Sequence, residues 1–314
     1  MKIPSSMNKR FRSALYLLCG AAIGASVVTG LAFRETDKSE ETVEVKHDGR
    51  LQYKWYFPET PKSISFAGEK VPLDRWEVKE QLEREILYNY YAQYSTLYIL
   101  RLSTRYFPVI EPILKANGIP DDFKYLCVAE SALRNQTSSA GAVGFWQFMR
   151  DTGPRYGLEI NDEVDERYHV EKATLAACRY LQEAKAKFGT WTAAAASYNC
   201  GMGGYNKFAS QQQRSEYYDL LLPEETMRYV FRIVAFKHIL SQANSIGFIM
   251  QGIDAYKPLN THNVTVDSSI KDLVQYSFNN GTTYKVLKTL NPWLRDKMLT
   301  VKPGKTYTLQ LPNS

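Results

Sequence analysis

Through the middle of the chain, apolar positions recur at helical rather than strand spacing. Leu82, Ile86, Tyr90, Tyr94 and Leu97 follow one another at intervals of four, four, four and three, and Phe107, Ile110 and Leu114 continue until Gly118 and Pro120. That spacing stacks side chains on one helix face, so the Tyr-rich stripe is expected in a core. The same period predicts a helix from Asp121 to about Arg134, one from about Val170 to Phe188, and a short Ala-rich one from Trp191 to Asn199 ending at Gly201. Pro223 suits the first turn of a further helix, with Glu224 and Glu225 at its positive end and a stripe of Phe231, Val234 and His238. His238 on that stripe is expected as a satisfied core residue. After Gly252 the texture changes: Thr265-Val266, a helix-like Ile270 to Phe278 and an alternating strand at Tyr307 to Leu311 are separated by the turn signals Asn279-Asn280-Gly281 and Lys302-Pro303-Gly304. The fold class is therefore mainly α, with a small C-terminal α+β module.

At the amino terminus, residues 13–33 carry no charge and follow a cluster of cations, which matches the roughly 20 residues that cross hydrocarbon as a helix. The chain is expected to be exported. This membrane/signal helix is read as an anchor, or as a signal peptide cleaved near Ala21–Ala25. Residues 1–12 would remain cytoplasmic, 34–62 would form a solvated linker, 63–252 a helical body and 253–314 the small module. The body would lie on the periplasmic side of the envelope.

The 314 residues allow about two folded units at about 150 each. With 44% apolar and 23% charged residues the chain is neither fibrous nor disordered. Lys2, Lys9, Arg10 and Arg12 supply four of the six net positive charges, so no broad basic surface remains for nucleic acid. The cysteines (Cys19, Cys127, Cys178, Cys200) and the scattered histidines have no metal-ligand spacing, so neither a metal nor a cofactor is expected.

Candidate chemistry begins at Glu130. It follows Leu126 by four residues and Cys127 by three, so a carboxylate sits at the edge of a buried stripe. Desolvation there raises its pKa, as a general acid requires. Taken alone, such a glutamate reads as a cap or a salt bridge to a neighbour. Downstream, Ser139 and Gln147 lie in a segment of small residues feeding an aromatic-amide stretch (Ser138-Ser139-Ala140-Gly141-Ala142-Val143-Gly144-Phe145-Trp146-Gln147), and Ala195-Ala196-Ser197-Tyr198-Asn199-Cys200-Gly201 places a phenol and a carboxamide at a helix end. Asp121 and Asp122 read as first-turn acids. Asp151 cannot be placed from sequence and is the remaining rival carboxylate. Cys127 and Cys200 read as small core residues, because no histidine lies within sequence reach to activate them.

The succession of Glu130-Ser131, Gly141-Ala142-x-Gly144-x-Trp146-Gln147-x-Met149 and Ala195-x-x-Tyr198-Asn199-x-Gly201 resembles the catalytic domain of soluble-lytic-type lytic transglycosylases, related to goose-type lysozyme and nearest to the membrane-bound transglycosylase D group. The stretch Leu222 to Val230 resembles that family's closing segment. The resemblance covers roughly residues 105–240. It implies a lysozyme-like helical fold and peptidoglycan glycan strands as substrate. Glu130 would be the single catalytic acid/base, Ser139, Gln147, Tyr198 and Asn199 would line the sugar groove, and Glu225 would be a carboxylate near its floor. Cleavage between N-acetylmuramic acid and N-acetylglucosamine would leave a 1,6-anhydro end. A muramidase-type hydrolase and a non-catalytic peptidoglycan-binding protein are the alternatives. Residues 265–311 resemble a degenerate LysM-type repeat with the order strand, helix, helix, strand; a plain structural cap is the other reading.

Overall fold

The computed structural model describes residues 57–252 and 255–313. The expected apolar segment at 13–33, the basic residues before it and most of the linker lie outside the described residues. No helix among the described residues is long and apolar enough to cross a membrane.

The described chain is mainly helical. It opens with a hairpin of β1 (Ser65–Phe66) and β2 (Glu69–Lys70), paired antiparallel. Its two-residue turn holds Ala67 and Gly68 at φ of 52° and 81°, the left-handed pair that such a tight connection requires. The hairpin serves two helices at once. The Ala67 amide donates to the Asp122 carboxylate at 2.7 Å, and Glu69 accepts from the Trp191 and Thr192 amides at 2.6 and 2.8 Å. The positive end of the later helix is thus capped by a carboxylate from across the fold. Burial works to raise the Glu69 pKa, but the bonds from Thr192 and Trp191 outweigh it and hold the carboxyl below its usual range.

Helix α1 (Trp76–Tyr91) buries Val78, Leu82 and Ile86 at the expected spacing. The periodic stripe does not continue as one helix. Ala92 (φ −77°, ψ 48°) separates α1 from α2 (Gln93–Ala116). Side chains take over backbone partners there: the Asn89 amide donates to the Glu85 carbonyl and the Thr96 hydroxyl to the Asn89 carbonyl. The turn rotates the second half of the stripe outward, leaving Tyr94 86% exposed and Leu97 exposed too, while Ile110 and Leu114 further on are fully buried.

Helix α3 (Phe123–Ser131) ends three residues before Arg134, because Ala132 and Leu133 adopt left-handed φ of 51° and 56°. Asp122 precedes it and binds Lys237 at 2.8 Å, while Asp121 pairs with Lys124. Helix α4 (Val170–Phe188) has the expected limits and stops at left-handed Gly189. Helix α5 (Trp191–Gln212) kinks at Gly201 (φ 74°, ψ 149°) rather than ending there, and a second stretch runs on to Gln212. Helix α6 (Glu224–Ser241) follows Pro223, which stands just outside its first turn. His238 is buried, with its Nε2 against the Glu59 carbonyl at 3.1 Å. The core among these helices is filled by Phe66, Phe123, Phe145, Trp146, Tyr205 and Tyr229, each 2% exposed or less. Each large apolar side chain so buried contributes roughly 1.5–3 kcal/mol.

The C-terminal module has a core of its own. Strands β3 (Thr261–Val266) and β4 (Tyr307–Pro312) pair antiparallel, from Thr261 opposite Pro312 to Val266 opposite Tyr307. Between them lie α7 (Leu273–Asn279), capped by Asp272, and α8 (Tyr284–Leu290), capped by Thr283. Leu273, Leu287, Leu294 and Leu309 are fully buried inside. Asn291, also fully buried, donates to the Leu287 and Gln310 carbonyls and accepts from the Gln310 amide, stitching α8 to β4.

Candidate active site

Glu130 is the penultimate residue of α3, separated by Ser131 from the two left-handed residues that end the helix. Its side chain is half-buried, and its Oε1 accepts from the hydroxyl of Tyr229 on α6. Burial pushes the carboxyl up to about 7. The Tyr229 bond and the positive charge of Arg232 pull it back, and the negative charge of Glu225 adds to the rise. A carboxyl poised near neutrality can hold a proton, release it and take one back at physiological pH.

Tyr198, at the end of the first part of α5, donates its hydroxyl to the Trp146 carbonyl at 2.8 Å. Burial first, then the nearby Glu130 charge, raises its pKa well above the usual phenol range, so it stays a neutral donor. Asn199 accepts from the Thr226 hydroxyl at 2.8 Å. Gln147 stands at φ 47°, an unusual conformation for a residue with a side chain, and its Nε2 donates to the Gly144 and Gln136 carbonyls at 2.7 and 3.1 Å. Those bonds direct the amide nitrogen into its own loop; its Oε1 takes part in neither.

The candidate residues are not equally gathered. Tyr198 and Glu225 are each within electrostatic reach of Glu130. Gln147 joins them through the neighbouring Trp146 carbonyl, and Asn199 through Thr226 on α6. Ser139 sits exposed in its turn, where its neighbour Ser138 accepts the Ala142 amide. Glu225 is exposed and ion-paired at both oxygens, with Arg232 Nη1 at 2.8 Å and Nη2 at 3.2 Å. Asp151 is exposed. Cys127 and Cys178 are buried and Cys200 partly so, all as free thiols, and burial raises each of their pKa values. That disfavours the thiolate a nucleophile needs.

Sequence reasoning missed two contributors. Tyr229 was visible only as part of the closing segment, yet it touches Glu130. Glu85 on α1 is fully buried and meets Arg228 Nε at 2.6 Å and Arg232 Nε at 3.7 Å. Glu225, Arg228, Tyr229 and Arg232 fall at spacings of three, one and three along α6, so one helix face presents them together. Only the periodicity of that face, combined with knowledge of what lies opposite, carries this signal. A cavity of about 240 Å³ lies elsewhere, between α2, the segment at His169 and the C-terminal module, and none of the candidate residues lines it.

Comparison with known proteins finds matches at the level of domains. Residues 108–221 match the family described as "Transglycosylase SLT domain", and residues 262–314 match "Soluble lytic transglycosylase C-terminal LysM-like domain". The chain carries an SLT domain and a LysM-like domain. It is homologous to membrane-bound lytic murein transglycosylase D of Escherichia coli K12, 29% identical over 192 residues, covering 59% of this chain and 42% of that protein. The protein of the same name from Escherichia coli O6:H1 matches with the same figures. The match thus spans less than half the length of these curated relatives. Glu130, Gln147, Tyr198 and Asn199 fall within the SLT match, whereas Glu225 and Tyr229 lie just beyond its last residue.

Proposed function

We propose that the protein is a peptidoglycan lytic transglycosylase that cleaves the bond between N-acetylmuramic acid and N-acetylglucosamine with Glu130 as its single acid/base. The observation that carries this reading is a half-buried carboxyl raised to about 7, bonded to the Tyr229 hydroxyl and set beside an SLT-domain loop. Protonated Glu130 gives its proton to the bridging oxygen as the bond to the muramyl C1 breaks, and the substrate's N-acetyl group steadies the positive charge that develops. The ionised carboxylate then takes the proton of that sugar's own C6 hydroxyl as its oxygen bonds C1, closing a 1,6-anhydro ring and restoring the acid. An intramolecular nucleophile works at an effective molarity on the order of 10⁵ M or more when well aligned, so no activated water is needed.

Glycoside hydrolysis ordinarily uses two carboxylates. Glu225 is the nearby rival, but Arg232 occupies both its oxygens. That leaves it suited to shaping the field around Glu130 and the groove floor rather than to activating water. Tyr198, Asn199, Gln147 and Ser139 would hold the acetamido groups and ring oxygens of the glycan. In this reading residues 63–252 perform the reaction, 253–314 hold the strand, and 13–33 tether the enzyme to the membrane on the periplasmic side, with 1–12 in the cytoplasm.

Glu130→Gln keeps shape but cannot cycle a proton. It is expected to fold, bind sacculi and release at least 10³-fold less anhydro-muropeptide than wild type, a loss in line with general acid–base contributions. Undiminished anhydro product by mass spectrometry overturns the assignment.

A further inference from the structure

Arg167 is 5% exposed and lies outside the set of residues expected to touch glycan. Its Nη1 donates to the carbonyls of Gly141 and Phe148 at 3.3 and 3.2 Å, the two ends of the loop that carries Gln147. Its own carbonyl is packed so closely on Gly144, at φ 81°, that a Cβ there would fall 2.0 Å from the oxygen. Tyr168 adds a third hold, accepting from Asn135 at 3.1 Å and meeting the Thr137 hydroxyl at 3.2 Å. The loop is therefore moulded onto residues 167–168.

What orients Arg167 is Asp165, whose carboxylate accepts from Nε at 2.9 Å and Nη2 at 2.7 Å. Asp165 belongs to an extended segment, Glu163 to Asp165, gripped by the C-terminal module. Its amide donates to the Trp293 carbonyl at 2.9 Å, Val164 bridges Leu294 and is buried in the module's core, and the Arg295 amide donates to the Glu163 carbonyl at 2.7 Å. Two carboxylates reinforce the grip from the body's side. Glu163 accepts from the Thr300 amide and hydroxyl at 2.5 and 2.9 Å, and Glu159 accepts from Lys305 at 2.5 Å and from the Tyr307 hydroxyl at 3.1 Å.

We propose that Arg167 is a positioning residue for the Gly141–Phe148 loop and that docking of the C-terminal module on residues 163–165 holds it in place, coupling the module to glycan binding at Gln147. Coupling of this kind is reciprocal, so glycan seated against the loop also tightens the docking. The glycan half rests on the function proposed above; the mechanical half does not.

The test uses the full chain with Glu159→Ala and Glu163→Ala combined, both outside the loop and only partly buried, and separately Arg167→Lys, which keeps charge but loses the fork. Without any glycan, amide deuterium exchange at residues 141–148 is expected to accelerate at least tenfold in both variants, while α3 keeps its protection. On soluble glycan fragments KM is expected to rise at least fivefold, with kcat within twofold and an unchanged pH midpoint, since Glu130 is untouched. Wild-type exchange in the loop of the doubly substituted protein overturns the coupling, and wild-type exchange in Arg167→Lys overturns the role of Arg167. Inactivity of the wild-type protein on glycan sinks the proposed function instead, and the exchange comparison still decides the mechanical claim.

Discussion

At Glu130 two opposed effects are set against each other. Burial favours the protonated carboxyl, whereas the Tyr229 hydroxyl donates to the ionised form and draws the pKa back towards 7. A group that must donate first is active when protonated, so kcat/KM on glycan is expected to fall as pH rises through about 7. In Tyr229→Phe the stabiliser of the charged form is gone, the pKa rises further and the alkaline limb moves to higher pH. A limb that moves to lower pH contradicts this account. Glu130 itself was legible from its spacing to Leu126 and Cys127, which put a carboxylate beside a buried stripe. Tyr229 was not, because nothing in a local window says which helix faces which; its contact with Glu130 spans 99 residues of sequence.

Among the elements, legibility followed how far each was decided by its own sequence. Helix α4 reads correctly to both ends because its apolar face is regular and Gly189 stops it. Helix α3 stops early although alanine and leucine favour helix, since Ala132 and Leu133 are held left-handed by their surroundings, where Leu133 is 1% exposed. Between α1 and α2 the period itself misled: the spacing survives the break at Ala92, but the face it marks does not. In α5, Gly201 reads as a stop and acts as a kink, at backbone angles that only glycine adopts without strain. Beyond the adjoining residues and the helix's own backbone, no atom lies within 4 Å of a Cβ built there, so Gly201→Ala tests the backbone alone. It is expected to destabilise the protein by about 1–3 kcal/mol in a urea titration and to reduce activity by displacing the adjoining Asn199. No change in midpoint shows that the kink is not needed.

Across the whole molecule, a strand, a helix and a closing strand of the C-terminal module were legible from turn signals and alternation, and its second helix only through the LysM resemblance. Its attachment was not. Val164 belongs by sequence to the helical body and by packing to the module's core, and Glu159, Glu163 and Asp165 are engaged by residues some 130 to 150 positions away. Pairings of that range leave no periodic trace. Among the described residues, a raised carboxyl at Glu130 stands beside a carboxylate already committed to Arg232, which is the arrangement a reaction without water would use. The most direct test is digestion of purified sacculi in H₂¹⁸O, with the new sugar ends weighed by mass spectrometry. The account predicts 1,6-anhydro ends that carry no ¹⁸O. Reducing ends that carry ¹⁸O would contradict it, because they require a water to have attacked where the sugar's own hydroxyl should have closed.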